Sequence, residues 1–388
     1  MIIGQFCDTY PPAVDGVGRV ALSYCETLTS MGHTAYYVAP QAPHVDDPVG
    51  FPVLLTASLP VPGELFRMGL PALDMRYRHK ITQIPFDIVH CHSPFIAGGE
   101  ALRISRKLGV PLVSTFHSKY RDDYLAKTHS AFVARQGVKA IVRFYEKCDG
   151  VWTVNSATAD VLREYGFRGP ITVMENGTNV EPLAPDAYQR MRERVHLADG
   201  VPTLLFVGQH NYKKNLHGIL GACAILRAKG QPFQLVCAGD VPDFSAIVSE
   251  AHDLGLSDAA RFLGFVTDRQ LLMAVYERAD LLVFPSLYDN APMVLREAAV
   301  MGTPGLVVRG SCSAEGVTDG VNGFISADES AEAIADTILR ALPRCREVGE
   351  NARRTIPLPW PEILKKAEAE YIRLIECKKT RKADLDER

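Results

Sequence analysis

Short apolar runs alternate with helix-length amphipathic segments along the whole chain. In the first half, residues 2–6, 34–39, 88–90, 112–115, 150–154 and 172–174 read as strands, with helices such as 17–31 between them. Strands that alternate with helices predict parallel sheets with helices wound on both faces. The fold class is therefore α/β. Residues 182–200 are charged and helix-prone and carry a second proline, Pro185, after which a strand pattern restarts at 203–207. It recurs at 234–238, 261–263, 281–284 and 305–308, predicting a second Rossmann-like unit without a sequence repeat. Taking 182–200 as a linker gives domains 1–184 and 185–360, with a ligand cleft expected between them. Pro357-Leu-Pro-Trp-Pro361 then interrupts the chain before a charged amphipathic helix, 362–376, and the residues after Cys377 read as a frayed tail.

A chain of 388 residues is long enough for two cores of ordinary size. A net charge of −3 with 47% hydrophobic and 22% charged residues is that of a soluble enzyme and offers nucleic acid no global attraction. Nine cysteines, odd in number and without a C-x-x-C pair, mostly sit in apolar segments and read as reduced thiols. Met1 leads directly into the first strand, and no apolar run approaches the roughly 20 residues of a membrane span, so the expected location is the cytoplasm. Oligomeric state does not follow from any of this.

The most informative stretch is residues 281–302, a fully apolar strand, a short polar loop and a helix opened by Pro292. Proline suits a helix start, and the N–H groups of Ala291, Met293 and Val294 would then point out of the strand's carboxyl end, where an anion is favoured. Asp289 lies just before that terminus and Glu297 one to two turns inside it. A sugar joined to a diphosphate would satisfy all three features. The competing use of both carboxylates is helix capping and macrodipole compensation, each contributing roughly 0.3–1 kcal/mol.

The acid, seven intervening positions and Glu297 resemble the signature of retaining family 4 glycosyltransferases of the GT-B fold. The similarity extends through Tyr10-Pro-Pro-Ala-Val-Asp-Gly-Val-Gly18, Val113-Ser-Thr-Phe-His117, Asn155-Ser156, Glu175-Asn-Gly-Thr-Asn179, Gly208, Lys214-Asn215 and Thr318-Asp-Gly-Val-Asn-Gly-Phe324. The resemblance implies two Rossmann-like domains facing a central cleft, with the last helix (361–388) crossing back onto the first. It implies transfer of a hexose from a nucleotide-sugar, a UDP-sugar first among them, with no metal and no other cofactor. Lys214 would neutralise the donor's diphosphate, Asp289 hold the sugar's hydroxyls, and Glu297 accept hydrogen bonds from the ribose. His117 would orient the sugar's C6 hydroxyl, and backbone near Val266 would read the base. Gly16, in the loop after strand one, would let the backbone approach a phosphate or acceptor. Two positions depart from the family pattern: Gln209 stands where the family has Arg, and Asp289 where it more often has Glu. Arg19, Lys213 or Arg296 could supply the missing cation.

Lys119, Tyr120 and Arg121, just after His117, are acceptor-side candidates and equally suit a solvated loop. Arg67, Arg76, Arg78, His79 and Lys80, interspersed with Leu65, Phe66, Met68, Leu70, Leu73 and Tyr77, form the most basic amphipathic stretch, although Pro60, Pro62 and Pro71 break it. It fits either an anionic membrane surface or a charged protein face. The Asp8–Pro12 and Phe116–Tyr120 segments also resemble bacterial diacylglycerol glucosyltransferases, which points to a lipid or cell-envelope glycan as acceptor. Two alternatives remain: a GT-B sugar-nucleotide 2-epimerase, and a degenerate nucleotide-sugar-binding homologue suggested by Gln209 and Asp289.

Overall fold

The computed structural model describes residues 1–11, 16–42, 50–61, 66–180, 182–209, 214–239 and 244–386. These fall into two compact units, 1–177 with 360–388, and 178–359.

The strands of the N-terminal unit are β1 (Ile2–Phe6), β2 (Thr34–Pro40), β3 (Val53–Thr56), β4 (Ser58–Pro60), β5 (Arg67–Gly69), β6 (Ile88–Cys91), β7 (Leu112–Phe116), β8 (Gly150–Thr153) and β9 (Thr172–Val173). Seven of them form one parallel sheet in the order β3-β2-β1-β6-β7-β8-β9, and β4 pairs antiparallel with β5. The chain order reverses beside β1, so the loops after β1 and β6 part there to opposite faces of the sheet, a position where open α/β sheets bind ligands. In the C-terminal unit β10 (Thr203–Val207), β11 (Gln234–Ala238), β12 (Ala260–Gly264), β13 (Leu281–Val283), β14 (Gly305–Val308) and β15 (Phe324–Ser326) form a second parallel sheet, ordered β12-β11-β10-β13-β14-β15. Leu204, Leu205, Phe206, Leu235, Val236, Leu281, Leu282 and Val283 are fully buried, as strands covered on both faces require.

Three expectations need correction. The boundary falls at Gly177/Thr178, because Thr178 pairs with Pro359 and donates its N–H to the Leu358 carbonyl at 2.7 Å. Residues 182–200 are no linker: the helix Ala187–Val195 buries Ala187, Met191 and Val195, spaced four apart, in the C-terminal core. Residues 378–386 do not fray. They continue the helix Trp360–Asp386, and the Lys378 ammonium reaches both Asp149 oxygens at 2.9 and 3.0 Å. That helix starts beside Gly177, where a Cβ would stand 2.2 Å from the buried Trp360 ring, so the glycine makes room for the indole.

Candidate active site

Three glycines shape the strand ends of the C-terminal unit. Gly208 donates its N–H to the Ala238 carbonyl (3.0 Å), and Gly239 donates to the Gly264 carbonyl (2.9 Å). At Gly239, φ is +146° and a Cβ would lie 1.9 Å from the Gly208 oxygen, so only glycine lets these loops run side by side. The exposed Gln209 follows the first loop and the half-buried Val266 the third.

Lys214 is delivered by the capped start of the helix Leu216–Ala228. Asn215 adopts a left-handed φ of +55°, which asparagine tolerates, and its side-chain oxygen accepts the Gly218 N–H at 3.2 Å. Its amide donates to the Glu329 carbonyl at 2.8 Å, fixing the turn. The Lys214 ammonium donates to Asp289 Oδ1 and sits 5.8 Å from the centroid of the Phe284 ring. Both side chains of this ion pair are only 17% exposed. Asp289 Oδ2 is buried and accepts no hydrogen bond among the described residues. A hydroxyl donor from a ligand would satisfy it.

Pro292 is the N-cap of the helix Met293–Val300 and makes no side-chain cap. The first-turn N–H groups of Met293, Val294 and Leu295 therefore lack intrahelical acceptors, as any uncapped helix start does. Ala291 precedes the cap and does not belong to this set, a correction to the sequence reading. Neither Asp289 nor Glu297 caps the helix. Glu297 is instead buried in the second turn, where Arg269 donates to Oε1 at 2.7 Å and the Tyr276 hydroxyl to Oε2 at 2.9 Å. Sequence reasoning missed both partners. They share the helix Arg269–Arg278, whose start is fixed by Asp268 accepting the Leu271 N–H at 3.0 Å. The capping Asp268 marks where this helix starts, but its meeting with Glu297 is made by tertiary packing and leaves no local pattern.

In the N-terminal unit His117 follows β7 and is 8% exposed. Its Nε2 lies 3.3 Å from Nδ1 of the fully buried His92, and the two rings stack with centroids 5.5 Å apart. Burial pushes the His117 pKa down to about 3, so the ring is neutral at physiological pH. Burial also holds His90 and His92 well below the usual imidazole range, with neighbouring imidazoles adding to the effect. Gly16 is exposed at the first position of the helix Gly16–Ser30. Lys119, Tyr120 and Arg121 open a helix, Tyr120–Thr128, rather than a loop. Tyr120 is a core residue packed on Phe95 and Phe116, so its ring serves the fold; Lys119 is half-buried and Arg121 exposed. Of the compensating cations, Arg19 is exposed on the first helix and Arg296 donates to the Ile356 carbonyl at 3.0 Å. Lys213 lies outside the described residues, as do Asp15 and Leu65. The basic stretch is not one amphipathic helix: it is divided between strand β5 and the short helix Met75–Ile81, with Pro71 between them.

Residues 14–182 match the model of Glycosyltransferase Family 4, and residues 188–355 that of Glycosyl transferases group 1. The chain belongs to this glycosyltransferase family. Relatives of this glycosyltransferase include the alpha-monoglucosyldiacylglycerol synthase of Streptococcus pneumoniae, 25% identical over 78% of this chain and 70% of the relative. Another is the glycogen synthase of Mycobacterium tuberculosis, 27% identical over 86% of this chain and 84% of the relative. Among solved structures, the sucrose-phosphate synthase of Thermosynechococcus elongatus superimposes with a TM-score of 0.82 at 19% identity, covering 97% of this chain and 99% of that one. The Anabaena protein Alr3699/HepE, solved with UDP and glucose, gives 0.73 at 19% identity, covering 95% and 99%. These likenesses establish the GT-B fold.

Proposed function

We propose that this glycosyltransferase moves a hexose from a UDP-sugar to a hydroxyl of a lipid or cell-envelope glycan, retaining the anomeric configuration and using no metal. The observation that carries the reading is the Lys214–Asp289 pair beside the uncapped start of the helix Met293–Val300. Breaking a sugar–phosphate bond leaves a nucleoside diphosphate with added charge, which a fixed ammonium and helix N–H groups stabilise more in the transition state than before it. Lys214 then exchanges Asp289 for the diphosphate, and Asp289 turns to the sugar hydroxyls. Glu297, oriented by Arg269 and Tyr276, accepts from the ribose. In the retaining mechanism the acceptor hydroxyl attacks on the face the phosphate leaves, and its proton passes to that phosphate. His117 is neutral and orients a sugar hydroxyl rather than acting as base.

The relative solved with UDP and glucose supports a UDP-sugar, and the relative named for alpha-monoglucosyldiacylglycerol supports a lipid acceptor. No helix among the described residues is long and apolar enough to cross a membrane. Contact with a bilayer would fall to Leu59, Met68, Leu73 and Met75, which are exposed beside Arg76, Arg78 and Lys80. The test is incubation with UDP-glucose, UDP-galactose and UDP-N-acetylglucosamine in EDTA, with and without vesicles of diacylglycerol and anionic phospholipid. An α-linked glycolipid, with UDP release that depends on the vesicles, is expected. A β-linked product overturns retention, and UDP release that ignores every acceptor overturns transfer.

A further inference from the structure

Behind His117 the N-terminal unit contains a line of buried polar side chains. His117 Nε2 meets His92 Nδ1 at 3.3 Å, and His92 Nε2 meets Gln5 Oε1 at 2.8 Å. The Gln5 amide donates to the Tyr371 hydroxyl at 3.3 Å, and that hydroxyl lies 2.7 Å from His90 Nδ1. His90 Nε2 ends the line on Thr115 Oγ1 at 2.8 Å. Gln5, His90, His92 and Tyr371 have no exposed surface, so each must satisfy its hydrogen bonds within the protein. The line joins β1, β6 and β7 to the C-terminal helix, and Tyr371 is clamped by stacking on Trp152 at 5.2 Å.

A line of this kind has only two consistent polarities, because each neutral imidazole carries one N–H and the tyrosine one O–H. The 2.7 Å contact between Tyr371 and His90 suits an O–H donor, whereas N–H donors centre near 2.9–3.0 Å. With Tyr371 donating to His90, its oxygen accepts from the Gln5 amide and the Gln5 carbonyl accepts from His92 Nε2–H. His92 Nδ1 is then an acceptor and takes the proton of His117 Nε2. We propose that Tyr371, Gln5 and His92 are positioning residues that hold His117 as its Nε2–H tautomer, so that Nδ1 is the accepting nitrogen of the ring. The proposal rests on the role given to His117 above and adds the residues that set it. A residue of the last helix, 254 positions from His117 by the difference 371 − 117, thereby fixes which nitrogen of the histidine carries the proton.

The test is long-range 1H–15N spectra of the 15N-histidine-labelled full chain without ligand, in wild type, Tyr371→Phe, Gln5→Leu and Gln5→Glu. Wild type should show His117 as Nε2–H. Tyr371→Phe keeps the ring stack but frees the Gln5 amide to turn, so His117 should populate both tautomers, as it should in Gln5→Leu. A protonated Gln5→Glu side chain donates to Tyr371 and accepts from His92, and should restore the single tautomer. With UDP-glucose as probe, kcat should fall in proportion to the wrong tautomer, about twofold for an even mixture, with KM little changed. Wild-type His117 protonated on Nδ1, or one unchanged tautomer in every folded variant, overturns the proposal; so does a shifted tautomer with unaltered kcat. Should wild type turn over no UDP-glucose, the donor reading fails, while the spectra still decide the tautomer line.

Discussion

The two units present the same kind of parallel sheet and use its strand ends in opposite ways. In β6 and just after β6 and β7 the N-terminal unit buries His90, His92 and His117 as neutral rings joined to Gln5 and Tyr371. After β10, β12 and β13 the C-terminal unit sets charges in pairs, Lys214 with Asp289 and Arg269 with Glu297. A neutral buried network discriminates hydroxyl geometry at little Coulombic cost. Paired charges that a ligand can re-partner suit a diphosphate and a ribose. One scaffold thus carries a polar but uncharged network at its strand ends in one unit and paired charges in the other, and the side chains there make the difference.

The comparison breaks most easily at Lys214. Lys214→Ala removes the ammonium and leaves Asp289 buried, so kcat should fall on the order of 10² to 10³-fold, about 2.7–4 kcal/mol, as for loss of one preorganised donor. UDP-sugar turnover measures this; a loss under about tenfold would mean the ammonium serves only Asp289. The next effect belongs to the N-terminal unit and to pH. The folded-state pKa values of the three histidines are depressed, so between about pH 6.5 and their lower native values the unfolded chain binds more protons. Their contribution to stability is therefore present above pH 6.5 and is lost as pH falls, by up to about 1.4 kcal/mol per pH unit for each histidine. Thermal melts from pH 7.5 to 5 should show this slope, and His92→Gln should flatten it; an unchanged slope would remove the neutral network from the account. The smallest effect is at Arg269. Arg269→Ala leaves Glu297 held by Tyr276 alone, and UDP affinity by calorimetry should weaken about three- to tenfold, roughly 1 kcal/mol. Tighter binding would show instead that Arg269 competes with the nucleotide for the carboxylate.

What the sequence makes legible follows the same division. Buried parallel strands announce themselves as apolar runs, so the two central sheets and the order of strand and helix are readable. The strands β3, β4, β5 and β15 are only three or four residues long and lie at sheet edges or in the small antiparallel pair, so they do not stand out. The helix Ala187–Val195 hides as a linker because its three core positions are outnumbered by charge. Asp289 and Glu297 are legible because a proline-led helix start is a local pattern, and Lys214 because it matches the lysine of the family that the chain resembles. Arg269 and Tyr276 are not, since only tertiary packing brings their helix to Glu297. The histidine line is least legible of all: Gln5 and Tyr371 are 366 residues apart, and no local pattern links them.

The central claim is that the C-terminal unit binds a nucleotide-sugar through its own charges. Isothermal calorimetry of UDP-, GDP-, ADP- and dTDP-sugars in EDTA, on wild type and Glu297→Ala, tests it most directly. The account predicts that one nucleotide series, UDP, binds without metal and that Glu297→Ala weakens it at least about tenfold while the melting temperature stays near wild type. Binding that requires a metal, or that Glu297→Ala leaves unchanged, would contradict it.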